Sequence, residues 1–160
     1  MKKSFICTIV LIALIIVSSC KKDENGDPAT AEAKISMKID GVEWTTTKNI
    51  EAFHTDVNNI LQIAGAKDDP MDFIHISTVG YQVGTYPMTI AGNSCTYKLY
   101  SSIFDFSRDG EIAITSCDTV NKIVSGTFRF KAVNGQDLSS KLITEGKFEN
   151  IKFTEQSIAK

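Results

Sequence analysis

Two histidines are present in this chain, and they are its natural candidates for general acid–base catalysis or metal ligation. His75 alternates with the apolar residues Ile74 and Ile76, a pattern typical of the solvent side of a β-strand. His54 precedes Asp56, which by itself is too little to orient an imidazole for catalysis. The sequence contains no HExxH motif, no glycine-rich phosphate loop and no G-x-S-x-G elbow. It therefore predicts no catalytic residues and no metal site.

Acidic residues cluster in two segments, 68–72 and 105–110. Loop carboxylates are typical ligands of Ca²⁺, but neither segment has the spacing of a calcium-binding loop. Both segments contain Asp next to Pro or Gly, residue types that favour turns, and we interpret both as turns. Two carboxylates that converge from distant strands leave no local motif, so a glycan hydrolase stays open as an alternative function.

The N-terminal segment carries the most specific motif of the chain. A basic start and an apolar run, too short to span a bilayer comfortably as a helix, lead into Val17-Ser18-Ser19-Cys20. These four residues resemble the lipobox of bacterial lipoproteins. The resemblance implies cleavage between Ser19 and Cys20, which makes residues 1–19 a signal peptide. It also implies that acyl chains on Cys20 anchor the protein in a membrane.

Residues 20–33 form a predicted flexible tether, because they are polar, contain Gly and Pro, and lack apolar periodicity. Lys21, Lys22, Asp23 and Glu24 directly follow the lipidated cysteine and resemble the surface-export signal of Bacteroidota lipoproteins. We therefore expect an anchor in the outer membrane. Export to the cell surface and an orientation towards the periplasm are the two alternatives.

Two cysteines, Cys95 and Cys117, remain after the signal peptide is removed and Cys20 is lipidated. In an oxidising compartment, two such residues form a disulfide by default. Neither belongs to a CxxC motif or has a neighbouring histidine, which argues against a metal pair. We expect a Cys95–Cys117 disulfide, worth roughly 3 kcal/mol of stability in the chain-entropy model.

The chain is mildly acidic, with 17 basic and 19 acidic residues. Removal of residues 1–19 takes away two lysines and no acidic residue, so the mature protein is more acidic still. This charge argues against nucleic acid as a partner. The length of residues 34–160 suits a single domain with one core.

From Lys34 onward, apolar and polar residues alternate with a period of two, which is typical of β-strands. Asp40-Gly41 separates two alternating runs and predicts a β-hairpin. The most regular predicted strand covers residues 121–134, with one apolar and one polar face. No window predicts an amphipathic helix. We expect an all-β domain of about 8–10 short strands, either an antiparallel β-sandwich or a partly closed barrel.

The alternation changes phase near the end of the chain. Phe148 is out of step with Ile151 and Phe153 if all three face the core. A β-bulge near Glu149–Asn150 would restore the register, because a bulge inserts one extra residue into a strand.

Aromatic residues exceed what the alternation of core positions requires. Exposed Tyr and Trp near loops stack on sugars or anchor protein partners, whereas burial in the core is the commoner use of aromatic side chains. The sequence leaves both uses open for Trp44, Tyr81, Tyr86, Tyr97, Tyr100, Phe104 and Phe106.

A short modification motif is present at Asp118-Thr119-Val120. These residues resemble the O-glycosylation sequon of Bacteroidota proteins. The resemblance implies a glycan on Thr119.

Five segments carry strand alternation, turn glycines and core aromatics: Met37–Trp44, Gly84–Tyr86, Ile112–Thr115, Ile123–Ala132 and Thr144–Phe148. Together they resemble a family of uncharacterised Bacteroidota lipoproteins known only as a domain of unknown function. The similarity runs from Met37 to Phe153. It implies an extracytoplasmic all-β domain and gives no catalytic residues to carry over.

These features together predict a lipid-anchored lipoprotein of the cell envelope that acts as a binding or interaction module. Its expected contacts are the membrane, through Cys20, and a glycan or protein partner, with no cofactor. A β-barrel carrier of an apolar ligand and, less favoured, a glycan hydrolase are the alternatives.

Overall fold

The computed structural model describes residues 31–67, 72–100, 102–104 and 109–157, which contain twelve β-strands and no helix. The predicted all-β class is confirmed. Within these residues, nothing helical is present that could span a membrane. The strands are β1 (Lys34–Ile39), β2 (Val42–Thr46), β3 (Ile50–Thr55), β4 (Ile60–Ala66), β5 (Asp72–Val79), β6 (Gly84–Pro87), β7 (Ser94–Leu99), β8 (Ser102–Phe104), β9 (Gly110–Asp118), β10 (Ile123–Val133), β11 (Ser140–Lys152) and β12 (Thr154–Gln156).

The strands form two separate six-stranded sheets. The first has the order β2-β1-β11-β10-β9-β6, and the second has the order β12-β3-β4-β5-β7-β8. Neighbouring strands are antiparallel except for β12, which pairs parallel with β3. The fold is therefore a β-sandwich, the first of the two predicted architectures, and the described strands form no closed barrel. The alternative function as a carrier of an apolar ligand stays a prediction. The strand number exceeds the predicted one partly because β8 and β12, with 3 residues each, are too short to show alternation.

The first hairpin forms as Asp40-Gly41 predicts. Both residues have positive φ, +49° for Asp40 and +85° for Gly41. Positive φ at both central positions is the type I′ pattern, whose twist matches that of the flanking strands. The turn brings Ile39 opposite Val42 and sets the register of β1 against β2.

The predicted β-bulge in β11 is confirmed. Val124 pairs with Ile151 and Gly126 pairs with Phe148, so Glu149 and Asn150 together oppose Ser125. Asn150 has a φ of +55°, and its amide donates a hydrogen bond to Ser125 Oγ at 2.9 Å. The bulge allows Phe148 and Ile151 to be buried on the same side of the sheet.

The core lies between the inner faces of the two sheets and consists mainly of isoleucine and phenylalanine. The chain crosses from one sheet to the other at Phe153, which is buried between β11 and β12. This crossing matters for function, because it carries the last strand to the edge of the second sheet beside β3.

Candidate functional site

His54 lies on β3 with its ring turned into the sandwich, and the residue is only 4% exposed. Its Nδ1 atom is 2.6 Å from Glu155 Oε2 and 3.6 Å from Asp56 Oδ1. Its Nε2 atom is 3.0 Å from Asn59 Oδ1. Both ring nitrogens therefore have an oxygen partner, as buried polar groups normally do.

Two different kinds of contact bring these residues together. Asp56 and Asn59 belong to the tight turn between β3 and β4, in which Asn59 has a φ of +51°. Glu155 comes from the far end of the described chain and becomes the neighbour of His54 through the parallel pairing of β12 with β3. The sequence analysis found only the His54–Asp56 spacing, because no local pattern connects β12 to β3.

A second layer of side chains surrounds this cluster. Lys122 Nζ is 2.8 Å from Glu155 Oε1 and lies 5.8 Å from the centre of the Phe153 ring. The Tyr81 ring packs edge-on against His54, with ring centres 4.4 Å apart. Hydrogen bonds from Lys122 and from His54 lower the pKa of Glu155, so its carboxylate is ionised at neutral pH. The cluster thus combines one imidazole, a fixed carboxylate and an ammonium group.

His54, Asp56 and Glu155 offer one nitrogen and two oxygen donor atoms that all lie within 4.8 Å of one another. Imidazole nitrogen and carboxylate oxygen are common ligands of divalent metal ions in proteins. We refer to these three residues as the His54 triad.

His75 lies on β5 and points away from the core, as its alternation with the buried Ile74 and Ile76 predicts. Its Nε2 atom is 3.2 Å from Gln62 Oε1 on the neighbouring strand β4. Partial burial lowers the pKa of His75, so the ring is neutral at pH 7. A neutral ring can donate one hydrogen bond and accept another.

His75 belongs to the outer face of the second sheet, which we call the second-sheet face. Cross-strand pairs place His75 between Ala64 and Thr96, and Lys98 Nζ lies 5.7 Å from the centre of the Phe73 ring. Most of these side chains are half-buried, since the strands that flank them shield one another. The described strand residues of this face include Glu51, Phe53, Gln62, Ala64, Phe73, His75, Thr96, Lys98 and Ile103.

The outer face of the first sheet has a different composition. It is rich in charged side chains, which form exposed ion pairs such as Lys38–Glu145 at 2.8 Å and Arg129–Glu111 at 3.0 Å. Exposed pairs of this kind contribute little to stability and keep a surface hydrated. Other charged residues that line shallow depressions on this face are Lys34, Glu43 and Lys147.

The predicted Cys95–Cys117 disulfide is not present, and the structure holds both residues as thiols. Cys95 is buried on β7 in the second sheet, where it pairs with Ile76. Cys117 is half-buried near the end of β9 in the first sheet, where it pairs with Val124. The two residues belong to different sheets, which their positions in the sequence do not reveal. Burial raises the pKa of both thiols, and that of Cys95 lies well above its usual value.

The aromatic side chains are used mainly in the core. Trp44, Tyr97 and Phe104 are buried, whereas Tyr100 is 62% exposed in the turn between β7 and β8. Tyr81 and Tyr86 are partly buried against the core, and Phe106 lies outside the described residues. Of the aromatics that the sequence singled out, Tyr100 has the exposure that a contact with a partner requires. Phe53 and Phe73, which alternation alone did not single out, lie on the second-sheet face instead.

Asp72 is the described member of the two acidic segments that takes part in a buried contact. Its Oδ1 atom accepts a hydrogen bond from Trp44 Nε1 at 2.8 Å and so connects the two sheets. Burial, together with the charge of Asp72, raises the pKa of the Tyr97 hydroxyl. Asp109 of the second segment is exposed, and residues 68–71 and 105–108 lie outside the described residues.

Thr119 is exposed in the turn between β9 and β10. Asp118 Oδ1 accepts hydrogen bonds from the amides of Val120 and Asn121, both at 2.9 Å, and shapes this turn. Modification of Thr119 stays a prediction. The predicted cleavage site, Ser19 and Cys20, and the predicted export signal, Lys21, Lys22, Asp23 and Glu24, lie outside the described residues.

A protein-family model described as a domain of unknown function (DUF6252) matches residues 31–152. The match covers eleven of the twelve strands and stops before β12. No curated protein and no solved structure shows significant similarity to this chain. The predicted resemblance to a domain of unknown function is confirmed, and because the match covers well over half of its length, the chain belongs to the DUF6252 family.

Proposed function

We propose that the protein is an outer-membrane-anchored lipoprotein whose β-sandwich is a non-enzymatic binding module for neutral glycans. The observation that carries the binding role is the second-sheet face. It combines phenylalanine rings with uncharged hydrogen-bonding side chains on a rigid sheet. The N-terminal lipobox motif supports the anchor.

The point at which the tether joins the sandwich is compatible with this role. Lys34 begins β1 and pairs with Glu149 on β11, which continues to Lys152 beside Ile123. The tether therefore joins at one end of the first sheet, not at the second-sheet face. A flexible segment of residues 21–33 would have an r.m.s. reach of about 20 Å, so the second-sheet face stays accessible beside a membrane.

The side chains of the second-sheet face suit a sugar chemically. Sugar rings have apolar C–H faces that pack on aromatic rings, and such contacts are available at Phe53 and Phe73. Sugar hydroxyls donate and accept hydrogen bonds, and Gln62, His75 and Thr96 supply neutral donors and acceptors on the same face.

The charge of the face favours a neutral ligand. Among the described strand residues of this face, Glu51 and Lys98 are charged, and their charges are of opposite sign. A polyanionic glycan or a nucleic acid would need a cluster of Lys and Arg side chains, because their positive charges attract the negative charges of such polymers. On the first-sheet face, basic side chains are paired with glutamates, as in Lys38–Glu145 and Arg129–Glu111.

The binding role can be tested with the purified full-length protein and a panel of neutral polysaccharides in affinity gel electrophoresis. We expect at least one polysaccharide to retard the migration of the wild-type protein. The Phe73→Ala and His75→Ala variants should each bind it about 10-fold more weakly, since a stacked or hydrogen-bonded ring contributes roughly 1–2 kcal/mol. A Thr127→Ala variant on the first-sheet face is the matched control and should behave as the wild type.

Thermal unfolding of each variant shows whether lost binding reflects lost folding. Retention by no neutral polysaccharide would contradict the proposal. So would equal retention of the wild type and the His75→Ala variant when both are folded. Capture of a surface protein through Phe73 and His75 would instead assign the face to a protein partner.

The anchor can be tested by fractionation of the native host. A Cys20→Ser variant should fail to receive acyl chains and should leave the membrane fraction. Recovery of the variant in the membrane to the same extent as the wild type would contradict the lipoprotein assignment.

The orientation of the domain can be tested by adding protease to intact cells. We expect the wild type to be cleaved and a variant with alanine at Lys21, Lys22, Asp23 and Glu24 to be protected. Protection of both proteins would indicate a domain that faces the periplasm.

The predicted modification is tested by the intact mass of protein from the native host. We expect the Thr119→Ala variant to lose the mass of a glycan. An unchanged mass, apart from the substitution itself, would rule out the glycan.

A further inference from the structure

We propose that the His54 triad (His54, Asp56 and Glu155) is a binding site for a divalent transition-metal ion of the Zn²⁺ type. The inference does not depend on the glycan-binding role, since the triad lies at the edge of the second sheet where β12 pairs with β3 and contains no residue of the second-sheet face. It assigns a ligand to the residues that the fold brings together from β3, its following turn and β12.

The donor atoms are already close to the geometry that such an ion needs. Tetrahedral zinc holds nitrogen and oxygen ligands at about 2.0–2.2 Å, which places neighbouring ligand atoms about 3.3 Å apart. The distance from His54 Nδ1 is 2.6 Å to Glu155 Oε2 and 3.6 Å to Asp56 Oδ1. To reach that separation, Glu155 Oε2 would move away from Nδ1 by about 0.7 Å and Asp56 Oδ1 would move towards it by about 0.3 Å.

The far side of the His54 ring is arranged as in metal-bound histidines. Its Nε2 atom faces Asn59 Oδ1 at 3.0 Å and can donate its hydrogen there. Metal-ligating histidines almost always donate their second ring N–H to an oxygen acceptor, which fixes the tautomer and leaves the other nitrogen free to bind the ion. His54 Nδ1 is the nitrogen that then faces the two carboxylates.

The charges beside His54 favour a bound cation. Glu155 is ionised, and both Glu155 and Asp56 turn a carboxylate oxygen towards His54 Nδ1. A metal ion would replace the hydrogen bond between His54 Nδ1 and Glu155 Oε2. Lys122 binds the other oxygen of Glu155 at 2.8 Å and leaves Oε2 for such an ion.

The exposure of the triad gives an entry route. Asp56 has a side chain that is 61% exposed, whereas the His54 side chain is 6% exposed. An ion can therefore approach from the solvent at Asp56 and then bind the buried imidazole of His54. Three protein ligands leave a fourth tetrahedral position, which water fills in open sites.

The test is a calorimetric titration of the purified full-length protein with Zn²⁺ after EDTA treatment and removal of the EDTA. We expect one Zn²⁺ per chain and a thermal midpoint that rises with Zn²⁺ concentration. Asp56→Asn should weaken the binding about 10-fold or more and leave the zinc-free thermal midpoint unchanged, because this ligand is the exposed one. His75→Gln is the matched control for the other histidine and should bind Zn²⁺ as the wild type does.

Substitution with Co²⁺ gives a spectroscopic readout. A site of one imidazole and two carboxylates should show visible absorption bands of four- or five-coordinate Co²⁺, and Asp56→Asn should change them. The absence of stoichiometric Zn²⁺ binding by the wild type would overturn the proposal. Equal affinity of the wild type and Asp56→Asn would overturn it as well.

Discussion

The Nδ1 atom of His54 and the Oε2 atom of Glu155 lie 2.6 Å apart, although 101 positions separate the two residues in the chain. This contact fastens β12, a strand of 3 residues, to the edge of the second sheet. A strand this short has few ladder hydrogen bonds of its own, so side-chain contacts decide whether it stays paired.

Replacing Glu155 by alanine should therefore loosen the end of the sandwich. In metal-free protein we expect Glu155→Ala to lower the free energy of unfolding by about 1 kcal/mol, because charge-assisted hydrogen bonds to His54 and Lys122 are lost at a partly exposed position. Hydrogen exchange of the amides in β12 should become faster than in the wild type. The control is Glu51→Ala on the outer side of β3. Unchanged exchange in β12 would show that the ladder alone holds this strand.

Gly126 should tolerate no side chain. A Cβ atom there would collide with the ring of Phe148 and with the carbonyl oxygen of Ala113, since β10 passes both closely. We expect Gly126→Ala to lower the free energy of unfolding by about 2 kcal/mol or more, the usual range for overpacked cores. Urea denaturation measures the change. Gly84→Ala is the matched control, because nothing lies within 4 Å of its added Cβ, and a loss of equal size there would contradict the steric explanation.

The thiols of Cys95 and Cys117 should be detectable without reduction. In denaturant, a disulfide-exchange reagent such as Ellman's should find both thiols, with or without prior treatment by dithiothreitol. In the native protein, Cys117 should react slowly, because its pKa is raised and the residue is half-buried. Cys95 should react only on unfolding. Thiols that become detectable only after reduction would contradict the structure and support the predicted disulfide.

The pair formed by Asp40 and Lys141 should make a small part of the stability dependent on pH. The hydrogen bond from Lys141 and that from the amide of Leu142 lower the pKa of Asp40 below its usual value of 3.8. Because the folded-state pKa is the lower one, the stabilisation is present above pH 3.8 and is lost as the pH falls through the folded-state pKa.

The Asp40→Asn variant tests this contribution, since asparagine also tolerates the positive φ of the turn. We expect a loss of less than about 1 kcal/mol at pH 7, because the carboxylate is largely exposed. The difference from the wild type should vanish in acid, as measured by urea denaturation at several pH values. Lys141→Met should reproduce the loss of stability at pH 7. If the difference in stability between Asp40→Asn and the wild type persisted in acid, the charge of Asp40 would be excluded as its cause.

Local features of the fold could be read from the sequence. The Asp40-Gly41 turn and the bulge at Glu149–Asn150 depend on a few consecutive residues, and the structure confirms both. The placement of His75 on the outer side of its strand also follows from alternation alone. Such features are predictable because backbone preferences and side-chain period act within one strand or one turn.

The candidate sites depended on contacts that no local pattern contains. The sequence predicted a disulfide between Cys95 and Cys117, whereas the structure holds both as thiols, one in each sheet. It gave His54 no role, whereas the fold brings Glu155 to it through a parallel strand pair.

The sequence by itself determined that residues from Lys34 onward form short strands with one buried face. Only the tertiary structure decided the order of those strands, the choice of a sandwich over a barrel and the meeting of His54 with Glu155. The physical reason is that alternation determines which side of a strand is apolar but does not determine which other strand packs against that side. That choice is made by the free energy of packing the whole core and of closing the long loops between distant strands.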